Sequence, residues 1–176
     1  MAARKPSSSD AWTRASALYE AYRDGIYRFL VGQGLKPSVA QEVTQDVFLE
    51  LFAALQKGTQ VSSERGWLYA VAGRAVVDHW RHEHPRLWVE LDSDLSAAAN
   101  IPLPEATPEI QAARKERLSR VAAGLRRLSR EHRLCVQLRM QGLRYREIAR
   151  ILGVSTSTVA EWLLSAIDQL KGGAGE

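Results

Sequence analysis

The chain has 176 residues, an apolar fraction of 45% and a formal net charge of +4, figures that exclude disorder throughout and allow one medium domain or two small helical ones. No apolar stretch approaches the roughly 20 residues needed to cross a bilayer, and Met1 to Asp10 has basic residues without the apolar run of a signal peptide. The single cysteine, Cys135, cannot close a disulfide within the chain, so a reducing, cytoplasmic compartment is expected, with no direct membrane insertion.

From about Ala11 to Gln33, Leu18, Tyr22, Ile26, Phe29 and Leu30 recur at helical spacing, and Gly32 and Gly34 end the segment. After Pro37, Ser38 and Gln41 form a capping-box signature. Val39, Val43, Val47, Leu51 and Leu55 then keep an i, i+4 stripe that draws in Phe48 and Phe52, which predicts a helix over about 38–56. Lys57 to Glu64 is polar and punctuated by Gly58. Trp67, Leu68, Val71, Ala75, Val76 and Trp80 resume the helical period to about Arg81. Three helices thus make an N-terminal bundle, taken as a domain over 11–83.

His84 to Thr107 carries Pro85, Pro102, Pro104 and scattered acids without a period, and reads as an acidic linker over 84–107. Thr107, Pro108 and Glu109 supply an N-cap, a first-turn proline and a first-turn acid. The helix they predict carries Ile110, Ala113, Leu118, Val121 and Leu125 to about Arg127. Ser129 caps a further helix to Met140, which Gly142 stops. Residues 111–153 hold 12 Lys/Arg against 3 Asp/Glu. That clustering is an electrostatic footprint for a polyanion, with a solvated arginine-rich helix face as the plainer alternative.

Tyr145-Arg-Glu-Ile-Ala-Arg-Ile-Leu-Gly-Val-Ser-Thr-Ser-Thr-Val159 has the spacing of a helix-turn-helix. Ala149 is small where a second helix must cross, and Gly153 suits a left-handed turn position. Ile148, Leu152, Val154, Val159 and Leu163 close a small core, and Ser155 is placed to cap the second helix, about Thr156 to Leu170. Such a helix enters the DNA major groove with its N-terminal residues nearest the bases. The second domain is taken over 108–172. The fold class is therefore all-α, with a helical bundle joined by a linker to a helix-turn-helix domain.

Taken together, the two halves resemble the extracytoplasmic-function sigma factors of the bacterial sigma-70 family, which direct RNA polymerase to promoters. Ala40-Gln-Glu-Val-Thr-Gln-Asp-Val-Phe-Leu-Glu-Leu-Phe52 resembles the family's polymerase-clamp helix in region 2. Trp67-Leu-Tyr-Ala-Val-Ala-Gly-Arg-Ala-Val-Val-Asp-His-Trp-Arg81 resembles its minus-10 helix, and Leu128 to Leu170 is similar to region 4, which reads the minus-35 element. The resemblance implies polymerase contacts from Glu42, Gln45, Asp46, Phe48, Leu49, Glu50 and Phe52. Acids beside apolar anchors suit docking on a basic coiled coil, although Val47, Phe48 and Leu51 can equally be core. It implies minus-10 contacts from Lys57, Gln60, Ser62, Arg65, Trp67, Arg74, Asp78 and Arg81, with the loop 57–64 holding a flipped base. Trp67 and Trp80 can also be core. For the minus-35 element it implies Arg139, Arg144, Tyr145, Arg146, Glu147, Ser155, Thr156, Ser157, Thr158, Glu161 and Trp162.

The partners implied are core RNA polymerase, through its beta-prime clamp helices and beta flap, promoter DNA, and an anti-sigma factor that could hold the chain at the inner membrane. The acidic linker would thread the polymerase cleft. No catalytic group, small-molecule substrate, cofactor or metal is called for. The chain departs from the family's pattern in four places. Gly73-Arg74 stands where Arg-Asn is usual, and Arg144 replaces a capping serine. The stretch from Leu128 to Gly142 is one residue short. Ala160, Glu161, Trp162, Leu163, Leu164 and Ser165 occupy the recognition helix where cations are usual. Two other readings remain at this point: a stand-alone helix-turn-helix regulator with a dimerisation or sensing bundle, and a metal site at His79, His82, Glu83 and His84.

Overall fold

Apolar residues recurring every three to four positions dictate helices, and in the computed structural model of the protein every regular element among the described residues is one. Residues 8–59, 61, 63–82, 116 and 123–172 are described. The helices are α1 (Ser8–Gly32), α2 (Pro37–Gln56), α3 (Glu64–His82), α4 (Arg130–Met140), α5 (Tyr145–Leu152) and α6 (Thr156–Gly172). A further helical stretch occupies 123–127. There is no strand among the described residues. The expected linker over 84–107 and the helix start at Thr107 lie outside them.

α1, α2 and α3 pack as a bundle around Ile26, Leu30, Val47, Leu51, Leu68 and Val76, each at most 1% exposed. Aromatic edges reinforce the seams: Tyr19 meets Phe48 at 5.0 Å and Phe29 meets Tyr69 at 5.3 Å between ring centres. Burying each large aliphatic side chain contributes about 1.5–3 kcal/mol, and truncating one such as Leu51 to alanine would cost roughly 2–5 kcal/mol. An ion pair between Arg14 and Glu64 ties α1 to the first turn of α3.

The start of α2 differs from the capping box expected at Ser38 and Gln41. Lys36 stands at the N-cap with no side-chain cap bond, and proline occupies the first turn. The fixed φ of Pro37 is already helical and its missing N–H needs no partner there. The helix therefore begins one residue earlier, and Ser38 falls inside it.

In the second half, the Ser129 side chain accepts from the His132 N–H (3.2 Å) and so opens α4 as expected. Leu134, Cys135, Leu138, Leu143, Ile148 and Val159 are at most 2% exposed and join α4, α5 and α6 into a small core. Gly153 adopts φ 70 and ψ 32, the left-handed conformation that turns the chain from α5 toward α6. The apolar cores of the two halves are continuous, because α3 packs along α4 and α5.

Candidate nucleic-acid and partner interfaces

The outer face of α2 gathers Glu42, Gln45, Asp46, Leu49 and Glu50, all exposed. Their spacing puts three acids around Leu49, which is 64% exposed. A large apolar side chain ringed by carboxylates suits a basic, partly apolar partner surface. Two neighbours behave differently. Phe48 is buried against Tyr19, which corrects its assignment as a docking residue: α1 covers that flank of α2. Phe52 is half-buried and meets the exposed Trp12 edge-on at 5.6 Å, so that pair forms the rim of the same face.

On α3, Arg74, Asp78 and Arg81 follow at i, i+4 and i+7 and share one exposed face. Arg74 donates to Glu50 of α2 (3.2 Å) and Arg81 to Asp78 (3.3 Å). Exposed pairs of this kind contribute only about 0–1 kcal/mol, so a phosphate can replace the carboxylate at little cost. Trp67 is half-buried and packs on the core. Arg65 stands apart from that face: its Nε donates to the Gln141 side chain at the end of α4 (2.8 Å). Lys57 is exposed at the end of α2, while Gln60 and Ser62 lie outside the described residues.

The helix-turn-helix collects most of its expected residues at one end. Arg144, Tyr145 and Arg146 are exposed where α5 begins, and Arg150 follows one turn on. Arg139 donates to the Leu143 carbonyl (3.2 Å) and lies over the Tyr145 ring at 5.6 Å. Arg144 cannot accept a hydrogen bond, since a guanidinium carries donors only. The cap is instead made from the other side, by the Arg144 N–H donating to Glu147 Oε2 (2.6 Å). Glu147 thus restores part of what a capping serine would supply, and this intramolecular task accounts for its place in the motif.

Ser155 caps α6 by accepting from the Thr158 N–H (3.1 Å), and its hydroxyl also bonds those of Ser157 (2.7 Å) and Thr158 (2.9 Å). The hydroxyls expected to meet DNA are therefore partly committed to one another, while Thr156 remains exposed. Glu161 is exposed. Trp162 is half-buried and meets His132 edge-on at 5.7 Å, its ring packed against the domain. Leu164, 64% exposed, was not singled out by sequence. It lies three residues beyond Glu161 on the same face, and that spacing was the available signal.

Cys135 is fully buried, and burial pushes its thiol up to about 11. Its Sγ reaches the Val159 carbonyl at 3.9 Å. His79 and His82 lie at the end of α3, where His82 Nδ1 meets the Asp78 carbonyl (2.7 Å). Among the described residues no group of three His, Cys, Asp or Glu side chains is gathered as for a metal. Glu83 and His84 lie outside the described residues. No helix among the described residues is long and apolar enough to cross a membrane.

Comparison with known proteins matches this arrangement at both ends. The family model for sigma-70 region 2 matches residues 18–86 and that for sigma-70 region 4 matches 118–170. The ECF RNA polymerase sigma factor BldN of Streptomyces coelicolor is 28% identical over 86% of this chain, which spans 55% of that relative's length. RNA polymerase sigma factor YlaC of Bacillus subtilis is 29% identical over 88% of each chain. The ferric citrate uptake sigma factor FecI of Escherichia coli is 30% identical over 92% of this chain and 93% of its own. The chain belongs to the sigma-70 family of RNA polymerase sigma factors, in the extracytoplasmic-function group, whose function is promoter-directed initiation of transcription.

Proposed function

We propose that the chain docks on core RNA polymerase through the outer face of α2, reads and holds the melted minus-10 strand with the loop after α2 and the outer face of α3, and contacts the minus-35 element through α5 and the start of α6. The observation that carries the docking assignment is the exposed Leu49 ringed by Glu42, Asp46 and Glu50. A stand-alone regulator has no need of such a face, whereas the basic coiled coil of the beta-prime clamp complements it in charge and apolar character. In this reading the first domain covers 11–83 and the second 108–172, with the acidic segment 84–107 threading the polymerase cleft. The beta flap receives the second domain, and an anti-sigma factor in the cytoplasm or at the inner membrane withholds the chain until it is needed. RNA synthesis is left to the polymerase, and the chain supplies no catalytic group.

The reading is tested by co-purification with core polymerase in the absence of DNA. Asp46→Arg reverses an exposed interface charge and should weaken that association at least tenfold, about 1.4 kcal/mol, with the helical circular dichroism unchanged. Undiminished binding by the folded variant would sink the docking assignment. On the DNA side, Arg74→Ala should reduce permanganate-detected melting more than closed-complex formation. Equal losses in the two would count against a minus-10 role for α3.

A further inference from the structure

Resting on the two binding faces proposed above, we infer that Glu50 and Arg74 form a charge relay between them: in the free chain Glu50 holds Arg74, and a polymerase cation that takes Glu50 releases Arg74 to a phosphate of the melted strand. Glu42, Asp46 and Glu50 stand at i, i+4 and i+8 on α2, all exposed, and form one row along the helix. The row ends against α3, where Arg74 Nη2 donates to Glu50 Oε1 (3.2 Å). The pair leaves 51% of the Arg74 side chain and 53% of the Glu50 side chain in solvent, so each is still open to a partner of its own. Neighbouring ion pairs do not link the two faces. Arg81 and Asp78 both lie on α3, and Arg14 and Glu64 tie α3 to α1 instead. Arg74 also belongs to the Gly73-Arg74 step at which the chain departs from the usual Arg-Asn, so the pair is a feature of this sequence.

Glu50 therefore has two claims on it. Its carboxylate is part of the acid row beside Leu49 that faces the polymerase, and it is the counter-ion of a cation on the face that meets DNA. Beside Arg74 it opposes a phosphate twice over, by occupying the guanidinium and by repelling a like charge. Exposed pairs of this kind hold weakly, so the restraint is worth at most about fivefold in affinity. A polymerase cation set against Glu50 lifts the restraint and cancels the repulsion. Charges then alternate across the seam in the order polymerase cation, Glu50, Arg74, phosphate. Such coupling is reciprocal: a strand that takes Arg74 frees Glu50 and tightens polymerase docking by the same factor. Neither helix has to move. Two long exposed side chains change rotamer, which is fast beside any domain motion. The free chain is thereby kept from gripping stray single strands, and its full grip is reserved for the polymerase-bound state.

The test is a double-mutant cycle on the full-length chain, with Glu50→Gln, Arg74→Gln and the two combined. Glu42→Gln serves as the control, since it removes the same charge from the same row and leaves the pair intact. Each free chain is titrated against a fluorescein-labelled 20-nucleotide oligothymidine at low salt and read by anisotropy. Glu50→Gln should bind about two- to fivefold more tightly than wild type, whereas Glu42→Gln should leave the affinity nearly unchanged. In the Arg74→Gln background, Glu50→Gln should have no effect. Screening shortens from about 10 Å at 0.1 M salt to about 3 Å at 1 M, so the gain should shrink as salt rises, which a merely structural role for Glu50 would not produce.

The polymerase arm measures docking of each chain on core enzyme with and without saturating oligothymidine. The oligonucleotide should tighten wild-type docking about two- to fivefold more than it tightens docking of Glu50→Gln or Arg74→Gln; comparing variants cancels the strand binding of the polymerase itself. A gain that persists in the Arg74→Gln background would overturn the relay, as would an equal gain from Glu42→Gln or equal tightening in every variant. Leu49→Ala keeps the pair and tests the docking face by itself. Undiminished binding of that variant to core polymerase would refute the face, while the free-chain cycle still decides whether Glu50 restrains Arg74.

Discussion

α5 and α6 meet at Gly153, yet α5 turns Arg146 and Arg150 to solvent while α6 turns Ser157, Glu161, Leu164 and Asp168 outward and holds no cation before Lys171. Phosphate contacts position a protein on DNA and base contacts specify the sequence; in this domain the exposed cations other than Lys171 lie before α6, with Arg126 and Arg127 ahead of α4, Arg130 and Arg139 on it, and Arg144, Arg146 and Arg150 at the start of and along α5. On the proposed reading, the domain's grip on DNA is expected to come from α5 and the residues before it rather than from the groove-facing helix. A domain anchored by a few arginines binds weakly alone, and attachment to polymerase raises its effective concentration at the promoter. Affinity can then be modest without loss of function.

The largest effect should come from removing that anchor. Arg146→Ala/Arg150→Ala deletes two exposed cations from α5, and at about 0.9 per phosphate the log-log salt slope of duplex binding should flatten by roughly 1.8. At low salt the affinity should fall on the order of tenfold or more for every sequence. Anisotropy titrations of the free chain over a salt series measure both, and an unchanged slope would break the comparison by placing the phosphate contacts elsewhere.

Next in size is the hinge between the two helices. Gly153→Ala forces a Cβ onto a residue at φ 70, which costs roughly 1–2 kcal/mol, read as a lower thermal midpoint. Cys135 reports loosening of the domain from inside, because its Sγ, on α4, lies 3.9 Å from the Val159 carbonyl of α6. Burial raises its thiol from an ordinary 9.0 to about 11, so at pH 8 the folded protein should resist alkylation, and Gly153→Ala should speed it. The raised value also fixes a sign: between pH 9 and 11 the folded chain keeps a proton that the unfolded chain has lost. This contribution to stability is full below pH 9 and declines as pH climbs toward 11.

Local signals were the ones that sequence conveyed. Gly153, Ser155 and Ser129 occupy the turn and cap positions their chemistry requires, and the apolar stripes marked α1, α2 and α3 to within a few residues. Phe48 was misassigned because a stripe gives direction around a helix but not the width of the neighbour that covers it: Tyr19 of α1 reaches Phe48, whereas Leu49, a further 100° round, stays in water. Ser38 was misread because Pro37 pre-empts the cap. Glu147 has a second task that the resemblance does not convey, accepting from the Arg144 N–H three residues back, because the arginine at the N-cap hides the capping-box pattern. Gly73 stood out only as an oddity. Its meaning depends on Leu138 and Ile151, more than sixty residues away, and no local pattern encodes that contact.

The smallest effect expected is at Glu161, and it bears most directly on what α6 does. Glu161 is exposed on the second turn of α6, beside Leu164 and beyond the Ser155 cap. A carboxylate there can accept a hydrogen bond from a cytosine amino group in the major groove, or it can simply repel the phosphates. The two roles separate by sequence dependence. With a minus-35 sequence defined by run-off transcription, Glu161→Ala should lower the preference for matched over scrambled duplex by a few-fold, at most the roughly 1–3 kcal/mol of a good base contact, with the salt slope unchanged because no phosphate contact is lost. Stronger binding to matched and scrambled duplex alike would make Glu161 a repelling charge. In that case α6 contributes shape and apolar contact, with Leu164 and Ile167 exposed, and the arginines that precede it carry most of the domain's attraction for DNA.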